Sequence, residues 1–153
     1  MRKAIKKIIW IVTFFTILFL AIYPNFIKSY AVTSEDVSIV YYSHVQNIGW
    51  EQEYSKKDGQ LSGTEGKSLR LEAMKINLKN APSGLKIKYQ AHVQNIGWQG
   101  WKENGQTSGT EGKKLRLEAI KINLEGTKKY KIQYRVHIQN IGWQEWKEDG
   151  QVA

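Results

Sequence analysis

A seven-residue seed, His-Val-Gln-Asn-Ile-Gly-Trp, stands at 44–50, repeats at 92–98, and returns at 137–143 with Ile138 in place of Val. The spacings are 48 and 45 residues. A period of this length makes each unit one supersecondary element, too small to bury its own apolar face. Neighbouring units must therefore share a core. The rest of each unit repeats too. An aromatic and a turn follow the seed: Trp101 with Asn104-Gly105-Gln106, Trp146 with Asp149-Gly150-Gln151, and, two residues longer, Tyr54 with Asp58-Gly59-Gln60. Ser-Gly-Thr-Glu-Gly comes next, at 62–66 and 108–112, and then a Leu-Arg-Leu-Glu-Ala stretch at 69–78 and 115–124. The units run over about 38–83, 86–126 and 130–153. The third is incomplete, ending at the equivalent of Ser108, and lacks the counterpart of 109–124.

The periodicity inside a unit is two. Ile87, Tyr89, Ala91 and Val93 fall on one face, and Lys88, Gln90, His92 and Gln94 on the other, as in a half-buried strand. Leu115, Leu117 and Ala119 alternate with charged residues, after which Ile120, Ile122 and Leu124 become the apolar set. A one-residue phase change within a strand predicts a β-bulge or corner. Asn104-Gly105 and Asp58-Gly59 are hairpin pairs. The predicted fold is all-β, with three or four short strands per unit around a threefold internal repeat. A β-prism is favoured, with a β-trefoil as the alternative. The absent segment of unit three would leave an edge on the strands around 134–139 or 39–45. The expectation is a truncated chain, a strand supplied by a partner, or a cap blunted by Lys128, Lys129, Lys131 and Arg135.

Residues 1–31 are of another kind. Arg2, Lys3, Lys6 and Lys7 precede an apolar run over 8–23, Pro24 stops helical propagation, and Ser29-Tyr30-Ala31 offers small residues for cleavage before Val32. This is the pattern of a signal peptide. An uncleaved N-terminal anchor is the rival, since the run is slightly short for a span of ~20 residues. The folded domain is then 32–153, secreted or at the cell surface, touching membrane only through the leader. Of the formal charge of +9, the leader carries +5, which removes most of the support for nucleic-acid binding. The absence of cysteine excludes disulfides, thiol catalysis and Fe–S clusters.

The seed, the W-x-x-[ND]-G-Q turn, SGTEG and LRLEAIKINL together closely resemble the clostridial hydrophobic repeat with a conserved tryptophan, the ChW repeat. The resemblance covers 39–78, 87–124 and 132–153. It implies exported or surface proteins of clostridia and related Gram-positive bacteria, in which such repeats accompany hydrolase or adhesion modules. It also implies binding of carbohydrate, cell wall or other proteins rather than catalysis. Gly49-Trp50, Gly97-Trp98 and Gly142-Trp143 are the Gly-Trp pairs, and unit one departs in having Tyr54 at the second aromatic.

An indole can stack on a sugar, but a Trp after Gly once per unit also suits a core. Trp50, Trp98 and Trp143, with Gly49, Gly97 and Gly142, are assigned to the repeat core. Tyr54, Trp101 and Trp146, together with Asn104 and Gln106 of the neighbouring polar turn, are the candidate ligand-binding residues. His44, His92 and His137, one per unit, share the Gln/Lys face, so no metal site is assigned. Glu65, Glu72, Glu111 and Glu118 recur in equivalent settings, the wrong arrangement for a distinct acid and base. Arg70–Glu72 and Arg116–Glu118 suggest surface or inter-repeat ion pairs. No phosphate loop is present. The sequence thus predicts a binding module with no catalytic residues and no cofactor. Its partner would be an extracellular glycan or cell-wall polymer, or alternatively surface proteins of an extracellular machinery.

Overall fold

The computed structural model describes residues 36–51 and 56–153. The expected signal peptide and Tyr54 lie outside these residues.

Among the described residues every regular element is a strand. Unit one contains β1 (Ser38–Val45), β2 (Gly49–Trp50), β3 (Lys56–Lys57) and β4 (Leu71–Lys79). Unit two contains β5 (Lys86–Val93), β6 (Gly97–Trp98), β7 (Lys102–Glu103), β8 (Ser108–Gly109) and β9 (Leu117–Glu125). Unit three contains the two-residue strands β10 (Gln133–Tyr134), β11 (His137–Ile138), β12 (Gly142–Trp143) and β13 (Lys147–Glu148).

The period of two carries through to burial. Ile87, Tyr89, Ala91 and Val93 are each 0% exposed. β5 pairs antiparallel with β9 from Lys86↔Glu125 to Val93↔Leu117, and β1 with β4 from Ser38↔Lys79 to Val45↔Leu71. The expected bulge is present. His92 faces Ala119 but Val93 faces Leu117, which leaves Glu118 as the extra residue, and Glu72 is its counterpart in unit one. The extra residue turns the apolar set over to the other phase. Asn104 and Gly105 have φ of 44° and 83°, and Asp58 and Gly59 have 43° and 85°. Two successive positive φ values are what a type I′ hairpin requires.

Each long strand is also gripped by the following unit. β4 pairs with β8 through Ala73↔Gly109 and Met74↔Ser108. Gly105 N–H donates to Ile76 O at 2.8 Å, and Thr110 N–H to Glu72 O at 2.8 Å. In the same way Gly150 N–H donates to Ile122 O at 2.7 Å, while Ile120 and Ala153 exchange bonds of 2.9 and 3.0 Å. Unit three touches unit one where His137 Nε2 lies 3.6 Å from Glu65 Oε1.

One core results, drawn from all three units: Met74 and Ile76, then Ile87, Tyr89 and Ile122, then Ile132 and Tyr134. A tyrosine in each unit ties its lead-in strand to its own turn. The hydroxyls of Tyr41, Tyr89 and Tyr134 donate to the carbonyls of Gln60, Gln106 and Gln151. Tyr134 Oη also accepts the Ile122 N–H at 3.1 Å. Burial pushes all three phenols above the ordinary tyrosine value. The N–H groups of Ile76 at Tyr89 and Ile122 at Tyr134 pull the other way.

Candidate functional site

The seed folds as a tight hairpin. His44 pairs with Trp50 and Val45 with Gly49, and Ile48 N–H donates to Val45 O at 3.1 Å. The turn needs a left-handed residue, which Asn47 provides at φ 62°, followed by Gly49 at 84°. Asn tolerates that region because its short side chain bonds locally, and Gly because it has no Cβ. Asn95-Ile96-Gly97 and Asn140-Ile141-Gly142 repeat the geometry. The assignment of Gly49, Gly97 and Gly142 to the core is therefore corrected. They are turn residues, and a Cβ at Gly49 or Gly142 would meet nothing within 4 Å.

The tryptophans are corrected with them. Trp98 and Trp143 are 39% and 42% exposed, and Trp50 is half-buried. Directly paired residues share a sheet face, so each indole lies on the outward face with its histidine. The rings meet edge to face at 5.3 Å for His44–Trp50 and 5.4 Å for both His92–Trp98 and His137–Trp143. A cation covers each indole: Lys75 Nζ is 4.1 Å from Trp50 and Lys121 Nζ 4.5 Å from Trp98. In unit three Arg135, from the lead-in strand itself, takes this role. Its guanidinium lies 4.8 Å from Trp143 and 4.7 Å from Trp146. The two aromatic classes thus meet at one site in unit three. Sequence reasoning missed Lys75, Lys121 and Arg135. The recurrence of Lys75 and Lys121 across the strand pair from the seed was the available signal.

Of the candidate ligand residues, Trp101 and Trp146 are 47% and 51% exposed. Asn104 and Gln106 belong to the turn. Gln106 Oε1 accepts the Glu103 N–H at 3.1 Å, as Gln60 Oε1 does from Lys57 at 3.0 Å and Gln151 Oε1 from Glu148 at 2.9 Å. Asp58 and Asp149, counterparts of Asn104, accept the N–H groups of Ile39 and Ile132 at 3.0 and 3.1 Å. The [ND]-G-Q segment is thus a folding latch that leaves the neighbouring tryptophan at the surface.

The recurring carboxylates do different work in different units. Glu72 is buried at 5% exposure, 2.8 Å from Arg70 and 3.2 Å from His44 Nδ1, without hydrogen-bond alignment to the latter. Glu118 makes the same contacts, at 2.8 Å with Arg116 and 3.3 Å with His92, with its side chain 31% exposed. These pairs lie within a unit rather than between units. The inter-unit carboxylates are Glu111, which accepts Trp50 Nε1–H at 3.0 Å, and Glu65 beside His137. Hydrogen bonds from Gln133 and Lys131 hold the exposed Glu148 carboxyl below its ordinary value. Among the described residues no three His, Asp or Glu side chains are grouped to hold a metal ion.

The family described as Clostridial hydrophobic W, ChW, matches residues 44–80, 92–126 and 137–153. The chain belongs to this family. It has two full ChW repeats and a partial third. In structural terms, the tryptophan that names a ChW repeat is the outward-facing hairpin residue under a cation. No curated protein and no solved structure matches the chain.

Proposed function

We propose that this chain is a secreted or cell-surface binding module, without catalytic activity of its own, for carbohydrate or cell-wall polymer. The observation that carries the reading is the outward placement of Trp98 and Trp143 on tightly bonded hairpins, with Trp101 and Trp146 exposed a few residues further along. An exposed indole offers flat apolar area to a pyranose face, and a hairpin held by backbone bonds loses little entropy when the ligand arrives. Repetition supports weak sites summed by avidity. The leader pattern supports export, and no cofactor enters the proposal. The shared core and the contact that brings unit three to unit one support a β-prism-like arrangement over a trefoil.

The test is a glycan array and sedimentation with purified cell wall. The wild-type chain is compared with a Trp101→Ala, Trp146→Ala double variant whose β circular dichroism is intact. Loss of retention in the variant is the expected result. Equal retention would refute a role for these indoles. A protein-binding reading is favoured by one feature, the aliphatic tip beside each tryptophan. Ile48, Ile96 and Ile141 are 51%, 49% and 72% exposed. Pull-down that survives the double variant but fails when these three become Ser would select it.

A further inference from the structure

A cation lies over the hairpin indole of every unit, and it does not always come from the same sequence position. In units one and two it is a lysine of the long strand. Lys75 Nζ is 4.1 Å from the Trp50 ring and Lys121 Nζ 4.5 Å from the Trp98 ring. Lys75 faces Tyr42 across β1 and β4, and Lys121 faces Gln90 across β5 and β9. In unit three the cation is Arg135, the counterpart of Tyr42 and Gln90 rather than of the lysines. Its guanidinium lies 4.8 Å from Trp143 and 4.7 Å from Trp146. The residue type and the strand change, while the positive charge stays on the ring.

The acids close by are engaged with other groups. Arg70 and Arg116 hold Glu72 and Glu118 at 2.8 Å, and Glu111 accepts the Trp50 Nε1–H at 3.0 Å. Near Arg135, Glu148 accepts from Gln133 Nε2 at 2.7 Å and lies 3.4 Å from Lys131 Nζ. Glu145, on the loop between Trp143 and Trp146, is exposed, where salt screens its charge. A ring face attracts a cation through its charge and leaves N–H donors for another partner. A neutral sugar that stacks on the covered face must push the cation aside. A sugar that bears its own negative charge takes the cation as a charge-assisted hydrogen-bond partner.

Resting on the reading of a glycan or cell-wall module, we infer that the ligand is an acidic polymer. Its repeat unit carries a carboxylate or phosphate that Lys75, Lys121 and Arg135 receive beside their indoles. With the leader's +5 set aside from the total of +9, the chain keeps a net charge of +4. That excess is small, so recognition rests on where these three cations stand rather than on the overall field. Weak sites summed by avidity suit a polymer whose charges repeat. Cations beside aromatics also serve single-stranded nucleic acid, but the export pattern of residues 1–31 favours a wall polymer.

The experiment measures retention of the purified full chain on four immobilised polymers: dextran, polygalacturonate, poly(glycerol phosphate) and oligothymidylate. Retention on an acidic glycan or phosphate polymer at least about tenfold tighter than on dextran, and falling as salt rises, is expected. Whichever of the two acidic polymers is held more tightly tells carboxylate from phosphate. This preference is read on the unaltered chain and needs no variant to fold. A Lys75→Gln, Lys121→Gln, Arg135→Gln variant with intact β circular dichroism should lose the roughly tenfold preference, and Lys75→Arg, Lys121→Arg should keep it. Lys67→Gln, Lys113→Gln, Lys128→Gln removes as much charge at exposed lysines and should change retention by less than about twofold. Equal binding of dextran and the acidic polymers, equal losses in the two Gln variants, or tighter binding of oligothymidylate overturns the inference. Dextran binding that is lost in the Trp101→Ala, Trp146→Ala variant would leave the glycan reading standing and sink this one. No retention on any of the four polymers would remove both.

Discussion

Replacing the three equivalent tyrosines by Phe, one at a time, measures how firmly each unit holds the strand of the unit before it. Tyr134 is 7% exposed, and its hydroxyl donates to the Gln151 carbonyl while accepting the Ile122 N–H. Phe fills the same space, so no cavity forms and the loss is confined to polar groups. The Ile122 N–H is then stranded in the core, at a cost of about 1–3 kcal/mol. The Gln151 carbonyl, on an exposed residue, regains water, and its lost bond costs about 0.5–1 kcal/mol. Tyr134→Phe should therefore cost about 1.5–4 kcal/mol, and Tyr89→Phe the same, because the Ile76 N–H serves its phenol. Among the described residues no strand of a preceding unit lies against Tyr41. Among the described residues its hydroxyl reaches its own turn, at Gln60 and Gly59, and Tyr41→Phe should cost about 0.5–1 kcal/mol. Urea titration at fixed pH reads these differences directly, and the thermal midpoint should fall by roughly 10 °C for the first two variants. Equal costs at all three positions would refute the reasoning, since the asymmetry comes entirely from the inter-unit N–H.

The same phenols predict alkaline sensitivity. Burial raises them above 10.0, so the unfolded chain loses these protons first. The stability they contribute is whole below pH 10.0 and is lost as pH rises through the raised values; a Tm flat from about pH 8 to about pH 11 would contradict this. Gly109→Ala should destabilise by about 1–3 kcal/mol more than Gly63→Ala in urea melts. Both have positive φ, but only Gly109 is pressed against a strand. Glu72→Gln should cost about 1.5–3 kcal/mol and Glu118→Gln under ~1 kcal/mol, because the first carboxylate is buried with Arg70 and the second stands partly in water; equal costs would count against that difference.

The lead-in strands could be read from the sequence because alternation is a local property. Ile87, Tyr89, Ala91 and Val93 reach zero exposure through nothing more than their spacing. The bulge was legible for the same reason, as a break in that spacing. The tryptophans were not placed correctly, although the information was within reach. His92 sits on the polar phase of its strand, and a hairpin that pairs it with Trp98 must carry the indole to the same face. Taking Gly-Trp as a packing signal ignored that the glycine was needed for its φ. The Asn104-Gly105-Gln106 turn is legible as a turn, but polarity beside a tryptophan suggests a ligand contact for Gln106, whose amide oxygen instead closes the loop. The grip of one unit on the next joins residues about 30 positions apart, such as Ile76 and Gly105. No local pattern encodes that pairing.

This grip also sets a timetable for the growing chain. β4 has its outer edge covered only when Ser108 and Gly109 arrive, and β9 only when 150–153 arrive. At ~5–20 residues per second, an interval of about 30 residues keeps each edge open for roughly 2–6 s. The seed hairpins close within microseconds, so each unit waits, half-formed and with its edge open, for its successor to be made. Speed of synthesis, rather than the strength of any one contact, therefore governs how long the chain is vulnerable to pairing with the wrong strand.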